Sequence, residues 1–219
     1  QVLNRPGAFV AAPVENSSPS TKPYLRCPSS VGVVPRAEGP IMRKLRLAAS
    51  EAAGVAFNHA KVQLYETRAN KIAFHADKVL DMSEDDSFVS FRLGATRLFG
   101  LRSKANPQFA QNILATDNSA IVVGPRTNRG WTHGVSPDTR RATECTEDEL
   151  AWGERSLSII FRRAVTFWRS DGLLFGAGAR FKTEEALEAA LQASRVGGGA
   201  AMQQLGDPQR QLHKKILEA

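Results

Sequence analysis

The sequence predicts a mainly β protein with flanking α-helices, and three observations carry that expectation. Between residues 56 and 165 short stretches alternate apolar and polar side chains or are rich in β-branched residues. Gly, Pro, Asn and Asp punctuate the gaps between them, and helical periodicity is confined to the two ends. Short strands separated by turns make a sandwich or a barrel; a parallel α/β sheet needs a helix between successive strands.

Residues 1–40 hold Pro6, Pro13, Pro19, Pro23, Pro28, Pro35 and Pro40 and a Ser-rich patch at Asn16–Ser20, which excludes a continuous helix and predicts an extended arm or lid. From Ile41, the residues Leu45, Ala48, Ala49, Ala52 and Ala53 recur at helical spacing until Gly54, predicting a helix over 41–53. Strands follow at 60–65, 71–74, 87–93, 97–101, 111–114, 119–123 and 157–161. Thr183, with Glu184 and Glu185 behind it, caps a second helix that runs to Ser194 and ends at Gly197–Gly199. The basic tail beyond Pro208 is expected to be a loosely docked helix. The division is an N-terminal arm and supporting helix over 1–55, a core over 56–180 and a helical tail over 181–219.

A chain of 219 residues has room for one ordinary domain, and 42% hydrophobic with 23% charged residues is a composition that buries a core. Charges interrupt every long apolar stretch; Arg162 and Arg163 break Leu157–Trp168, so no membrane span is expected. Gln1–Pro13 lacks the charged and apolar regions of a secretory signal. Cys27 and Cys145 are too few for a disulfide framework or a Cys-ligated zinc, and an intracellular compartment, cytoplasmic or nuclear, is expected. The net charge of +7 allows a polyanionic partner.

The chemistry concentrates at His75-Ala76-Asp77. Two side chains at i and i+2 on a strand project to the same side, and imidazole plus carboxylate is two thirds of a metal-binding facial triad. His59, His133 and His213 are the other histidines, and His133, beside Trp131, is the candidate for the third ligand. A His-x-Asp pair recurs by accident on surface strands, and a loop histidine packed on a tryptophan is an ordinary structural feature. The order of features around them therefore decides.

That order runs from Tyr65 to His75-Ala76-Asp77, then Ser87-Phe88-Val89-Ser90-Phe91-Arg92-Leu93-Gly94-Ala95-Thr96-Arg97-Leu98-Phe99, then Trp131-Thr132-His133-Gly134-Val135, and ends at Arg155 to Arg162. It resembles the AlkB-like Fe(II)/2-oxoglutarate dioxygenases over roughly residues 56–165. The resemblance implies a double-stranded β-helix, a cupin-like jelly roll of two antiparallel sheets with the iron at the open end between them. It also implies that His75, Asp77 and His133 bind Fe(II), and that the hydroxyl of Tyr65 meets 2-oxoglutarate. The family usually has Asn two residues before that tyrosine; Gln63 stands here and still offers an amide.

The family closes with two arginines six apart on one strand, and the planar guanidinium suits the carboxylates of 2-oxoglutarate. Arg162 supplies the second, but Ser156 occupies the position six before it, and Arg155 lies seven before. Odd spacing on a regular strand sends Arg155 to the opposite face unless a bulge shifts the phase. Arg162 and Arg155 are both candidates for the cosubstrate. Gly94 is expected at a close approach of strands, and Trp131 as a wall of the site.

What the resemblance implies for activity is oxidation of a C–H bond coupled to conversion of 2-oxoglutarate and dioxygen into succinate and carbon dioxide, with formaldehyde released where an N-methyl group is the target. The first substrate expectation is demethylation of N-alkylated bases in DNA or RNA, with Arg26, Arg36, Arg43, Lys44, Arg46, Arg126, Arg129, Arg140 and Arg141 as phosphate contacts and Tyr24 or Phe57 to stack an extruded base. The alternative is hydroxylation or demethylation of a small molecule, peptide or protein side chain by the same core. A binding module that retains the fold without activity is a third.

Overall fold

The structure is a computed structural model and describes residues 7–13, 21–25 and 35–196. Its larger sheet orders the strands β3 (Arg36–Ala37), β1 (Gly7–Ala11), β4 (His59–Tyr65), β11 (Ser156–Arg162), β6 (Phe88–Gly94) and β9 (Ser119–Val123). The smaller sheet orders β5 (Ile72–His75), β10 (Trp131–Val135), β7 (Arg97–Ser103) and β8 (Ala110–Ala115). Pairing is antiparallel apart from the short β1–β3 contact, and from β4 to β11 the chain winds between the two sheets as a jelly roll.

Alternation along β11 separates two environments. Ile159 and Phe161 face outward with Ala60, Val89 and Phe57, where helix α1 (Pro40–Ala53) covers them through its fully buried Ala49. Burying those faces is what holds the helix to the sheet, since apolar area removed from water contributes about 25 cal/mol per Å². Ser156, Ser158, Ile160 and Arg162 lie on the other face of β11, toward the smaller sheet. There Phe88, Ile121 and Val123 of the larger sheet pack with Phe99 and Ala115 of the smaller one. One face of β11 is thus structural and the other is polar.

The N-terminal arm is corrected in part. Its prolines forbid a helix but leave Gly7–Ala11 free to pair, and this segment runs antiparallel to β4 from Gly7↔Gln63 to Ala11↔His59. β2 (Lys22–Tyr24) joins a third sheet with β12 (Thr166–Trp168) and β13 (Leu174–Gly176), on whose edge Pro23 removes no ladder bond. The arm residues 1–6, 14–20 and 26–34, the glycines that end the second helix and the tail beyond Pro208 lie outside the described residues. That helix, α3 (Glu184–Val196), starts where Thr183 predicts it. Among the described residues no helix is long and apolar enough to cross a membrane.

Candidate active site

His75 is the last residue of β5 and sits directly across from His133 in the antiparallel β5–β10 pair. Their rings are 4.5 Å apart between centroids. His133 is a strand residue, not a loop residue, and Phe99 and Phe88 flank its ring at 5.6 and 5.4 Å. Asp77 lies just past the end of β5 and reaches the same point, with Oδ1 3.7 Å from His75 Nε2. One ligand atom from each of His75, Asp77 and His133 lies within 4.8 Å of the other two.

Several contacts fix this trio. The Nδ1–H of His75 donates to the Ala73 carbonyl at 2.8 Å, which leaves Nε2 with its lone pair. Asn128, on the short helix α2 (Pro125–Gly130), accepts from the Asp77 amide at 2.8 Å and donates to the Asp77 carbonyl at 3.0 Å. Arg162 donates from Nε and Nη2 to Asp77 Oδ2 at 2.7 and 2.6 Å. Gly134 allows β5 and β10 to touch, because a Cβ there would meet the Ile72 carbonyl at 2.8 Å.

Electrostatics put the groups in metal-binding form. Burial pushes the Asp77 carboxyl up, but Arg162 and then His133 outweigh it and hold the carboxyl below its ordinary range. Burial lowers His133 to about 4; Asp77 opposes this and His75, Arg162 and Arg92 add to it. Its imidazole is therefore neutral near pH 7. Two imidazoles and a carboxylate on one side of a point are a donor set for Fe(II) that leaves the other side open.

A family profile described as the 2OG-Fe(II) oxygenase superfamily matches residues 27–162. The chain belongs to the 2OG-Fe(II) oxygenase superfamily. It is a 2-oxoglutarate-dependent non-haem iron dioxygenase that uses Fe(II), 2-oxoglutarate and dioxygen. A solved structure described as "The structure of OsALKBH1" aligns at 17% identity and a TM-score of 0.43, covering 59% of this chain and 67% of that one. No curated protein sequence matches.

In this dioxygenase Tyr65 is buried on the site face of β4, directly across from Ser156. Gln63 is buried across from Ser158, and Arg162 is brought to Asp77. Arg155 is not brought to the site. The register from Ser156 to Arg162 runs unbroken against β4, so no bulge rescues the odd spacing, and Arg155 is exposed beside Leu64, Leu93 and Leu157 in a groove on the outward face. Gly94, at φ 89°, occupies a close approach in which a Cβ would lie 2.4 Å from the Arg155 carbonyl. Trp131, two residues before His133, shares its side of β10.

Both proposed base-stacking residues are buried elsewhere. Tyr24 is 3% exposed against Leu174 and Ala179, and Phe57 is 1% exposed under α1. Several candidate phosphate contacts are already engaged: Arg46 pairs with Glu38, Arg129 with Glu84 and Asp85, and Arg140 with Asp138 and Glu149. Arg43 and Lys44 are exposed on α1, behind the larger sheet, and Arg26 lies outside the described residues.

Sequence reasoning missed two residues. Asn128 carries no motif; only its contact with Asp77 reveals it. Arg92 was visible as a strand residue in phase with Phe88 and Ser90, a period that places it on the site face.

Proposed function

We propose that this dioxygenase is of the AlkB type and removes alkyl groups from the nitrogens of DNA or RNA bases, with His75, Asp77 and His133 holding the iron. The convergence of those three side chains within 4.8 Å carries the reading. Bound Fe(II), with 2-oxoglutarate and dioxygen, supplies the oxidising power, forming succinate and carbon dioxide and placing one oxygen atom on the substrate carbon. The protein's part is to position and to neutralise. His75 Nε2, a nitrogen of His133 and an oxygen of Asp77 would ligate the metal, and Arg162 keeps the Asp77 carboxylate ionised. Arg162, paired with Asp77, and Tyr65, buried on the same face of the sheet, would meet the cosubstrate. The hydroxylated N-methyl group then falls apart to the free base and formaldehyde.

The net charge of +7 and the order of motifs from Tyr65 to Arg162 support a nucleic-acid substrate. The burial of Tyr24 and Phe57 and the pairing of Arg129 and Arg140 favour a second reading, a small molecule, peptide or protein side chain oxidised by the same centre. Formaldehyde and succinate release with methylated single-stranded DNA and RNA, at low and high salt, separates the two. Salt-sensitive stimulation with formaldehyde in step with succinate supports base demethylation. Succinate formation that no oligonucleotide stimulates supports the second reading.

A further inference from the structure

Among the described residues, the site face of the larger sheet carries a cation without an anion. Arg92 is 5% exposed on β6, directly across from Ser158 of β11. Its guanidinium donates from Nη1 to Ser158 Oγ, and its buried Nε has no hydrogen-bond partner among the described residues. A buried guanidinium without a carboxylate is costly, and burial accordingly lowers its proton affinity. Arg97, equally buried, shows the ordinary solution: its two terminal nitrogens donate to the carbonyls of Thr67, Arg68, Asn70 and Ser136.

A second orphan lies beside the first. Ser156 is buried on the same face, two residues from Ser158, and its Oγ has no partner among the described residues. It stands across from Tyr65, whose ring centroid is 5.9 Å from the Arg92 guanidinium carbon. Arg92 also lies 5.7 Å from the Phe99 ring, and Phe99 stacks on His133 at 5.6 Å. One aromatic ring thus separates Arg92 from the metal-ligand candidates, while Arg162 occupies the position against Asp77.

We infer that Arg92, with the Ser156 hydroxyl, binds the carboxylate of 2-oxoglutarate remote from the metal, so that the cation comes from β6 in place of an arginine at position 156. The inference rests on the dioxygenase reading of the site. It explains both orphans at once: a carboxylate accepts from Arg92 Nε and from Ser156 Oγ. Arg162 is already taken up by Asp77, so a dicarboxylate held at the His75, Asp77 and His133 cluster by its 2-oxo-acid end would have its remote carboxylate left for Arg92 and Ser156. The exchange is reciprocal, a small hydroxyl where the family has the long cation and a long cation on the neighbouring strand.

The test is binding to the Mn(II)-loaded protein, with 2-oxoglutarate and with pyruvate, a 2-oxo acid that lacks the remote carboxylate. Mn(II) affinity, read separately, reports an intact metal site. Arg92→Met is expected to lower 2-oxoglutarate affinity on the order of a hundredfold and to leave Mn(II) and pyruvate affinity as in the wild type. The double variant Arg92→Ser with Ser156→Arg, which moves the cation to the family position, is expected to recover most of the loss. Wild-type affinity for 2-oxoglutarate in Arg92→Met, or an equal loss for pyruvate, overturns the inference while the dioxygenase reading stands. Failure of the wild type to bind 2-oxoglutarate overturns both.

Discussion

Asn128 and the main chain of Asp77 are joined by two reciprocal hydrogen bonds, 2.8 Å from the Asp77 amide and 3.0 Å to its carbonyl. Asp77 lies beyond the end of β5, where no strand ladder holds it, so this clasp from α2 replaces the ladder. Asn128→Ala leaves both main-chain groups without those partners. Such supporting contacts typically change metal affinity about 10- to 100-fold, and a drop in that range is expected in a Co(II) or Fe(II) titration. Unchanged affinity would show that Asp77 is positioned by Arg162 alone.

The approach of β5 to β10 makes a steric prediction. A methyl group on Gly134 would meet the Ile72 carbonyl at 2.8 Å and the Phe74 amide nitrogen at 3.1 Å, both backbone atoms that cannot swing aside. Gly134→Ala is expected to force the strands apart, separate His75 from His133 and weaken metal binding together with thermal stability. Gly130→Ala, where a Cβ meets nothing within 4 Å, is the control and is expected to leave the metal affinity unchanged.

Arg162 has an effect that depends on pH. With Arg162→Met the burial that raises the Asp77 carboxyl is less opposed, so protons compete with metal at a higher pH. The affinity ratio of wild type to Arg162→Met is expected to be larger at pH 5.5 than at pH 8. A ratio independent of pH would mean that Arg162 contributes geometry and not charge.

Acid stability follows from the buried histidines. Burial, with Arg162 and Lys61 nearby, lowers His59 from 6.5 to about 3, and His133 is lowered to about 4. Below about 6.5 the unfolded chain takes up protons that the folded chain refuses, so their stabilising effect is complete above that pH and is lost as pH falls toward the folded values. Each histidine contributes a slope of at most about 1.4 kcal/mol per pH unit. Denaturant midpoints measured from pH 7.5 to 4.5 are expected to fall, and His59→Gln is expected to flatten the decline by about one proton's worth. An identical slope in the variant would mean that His59 is protonated in the folded state.

Much of this was legible from local pattern, and the rest depends on pairing across long separations. The period-two alternation of β4, β6, β7, β9 and β11 follows from burial of one side of each strand, and α1 ends at Gly54, whose φ of 64° suits glycine. β10 is five residues whose alternation Gly134 interrupts beside His133, too short a run to stand out. The parity of Arg155 and Arg162 foretold that Arg155 would face away, because the period of a strand is rigid. The pairing of Arg162 with Asp77, 85 residues apart, and of Asn128 with Asp77, 51 apart, comes only from the closure of the sheets. The orphaned Nε of Arg92 is likewise a fact of packing.

The most direct test of the central claim is succinate formation from 2-oxoglutarate by Fe(II)-loaded protein, with iron content measured in parallel, for the wild type, His133→Ala and Arg155→Ala. Turnover is expected in the wild type and in Arg155→Ala, with loss of both bound iron and succinate in His133→Ala. Full turnover and full iron content in His133→Ala would contradict it, because the metal would then be held elsewhere.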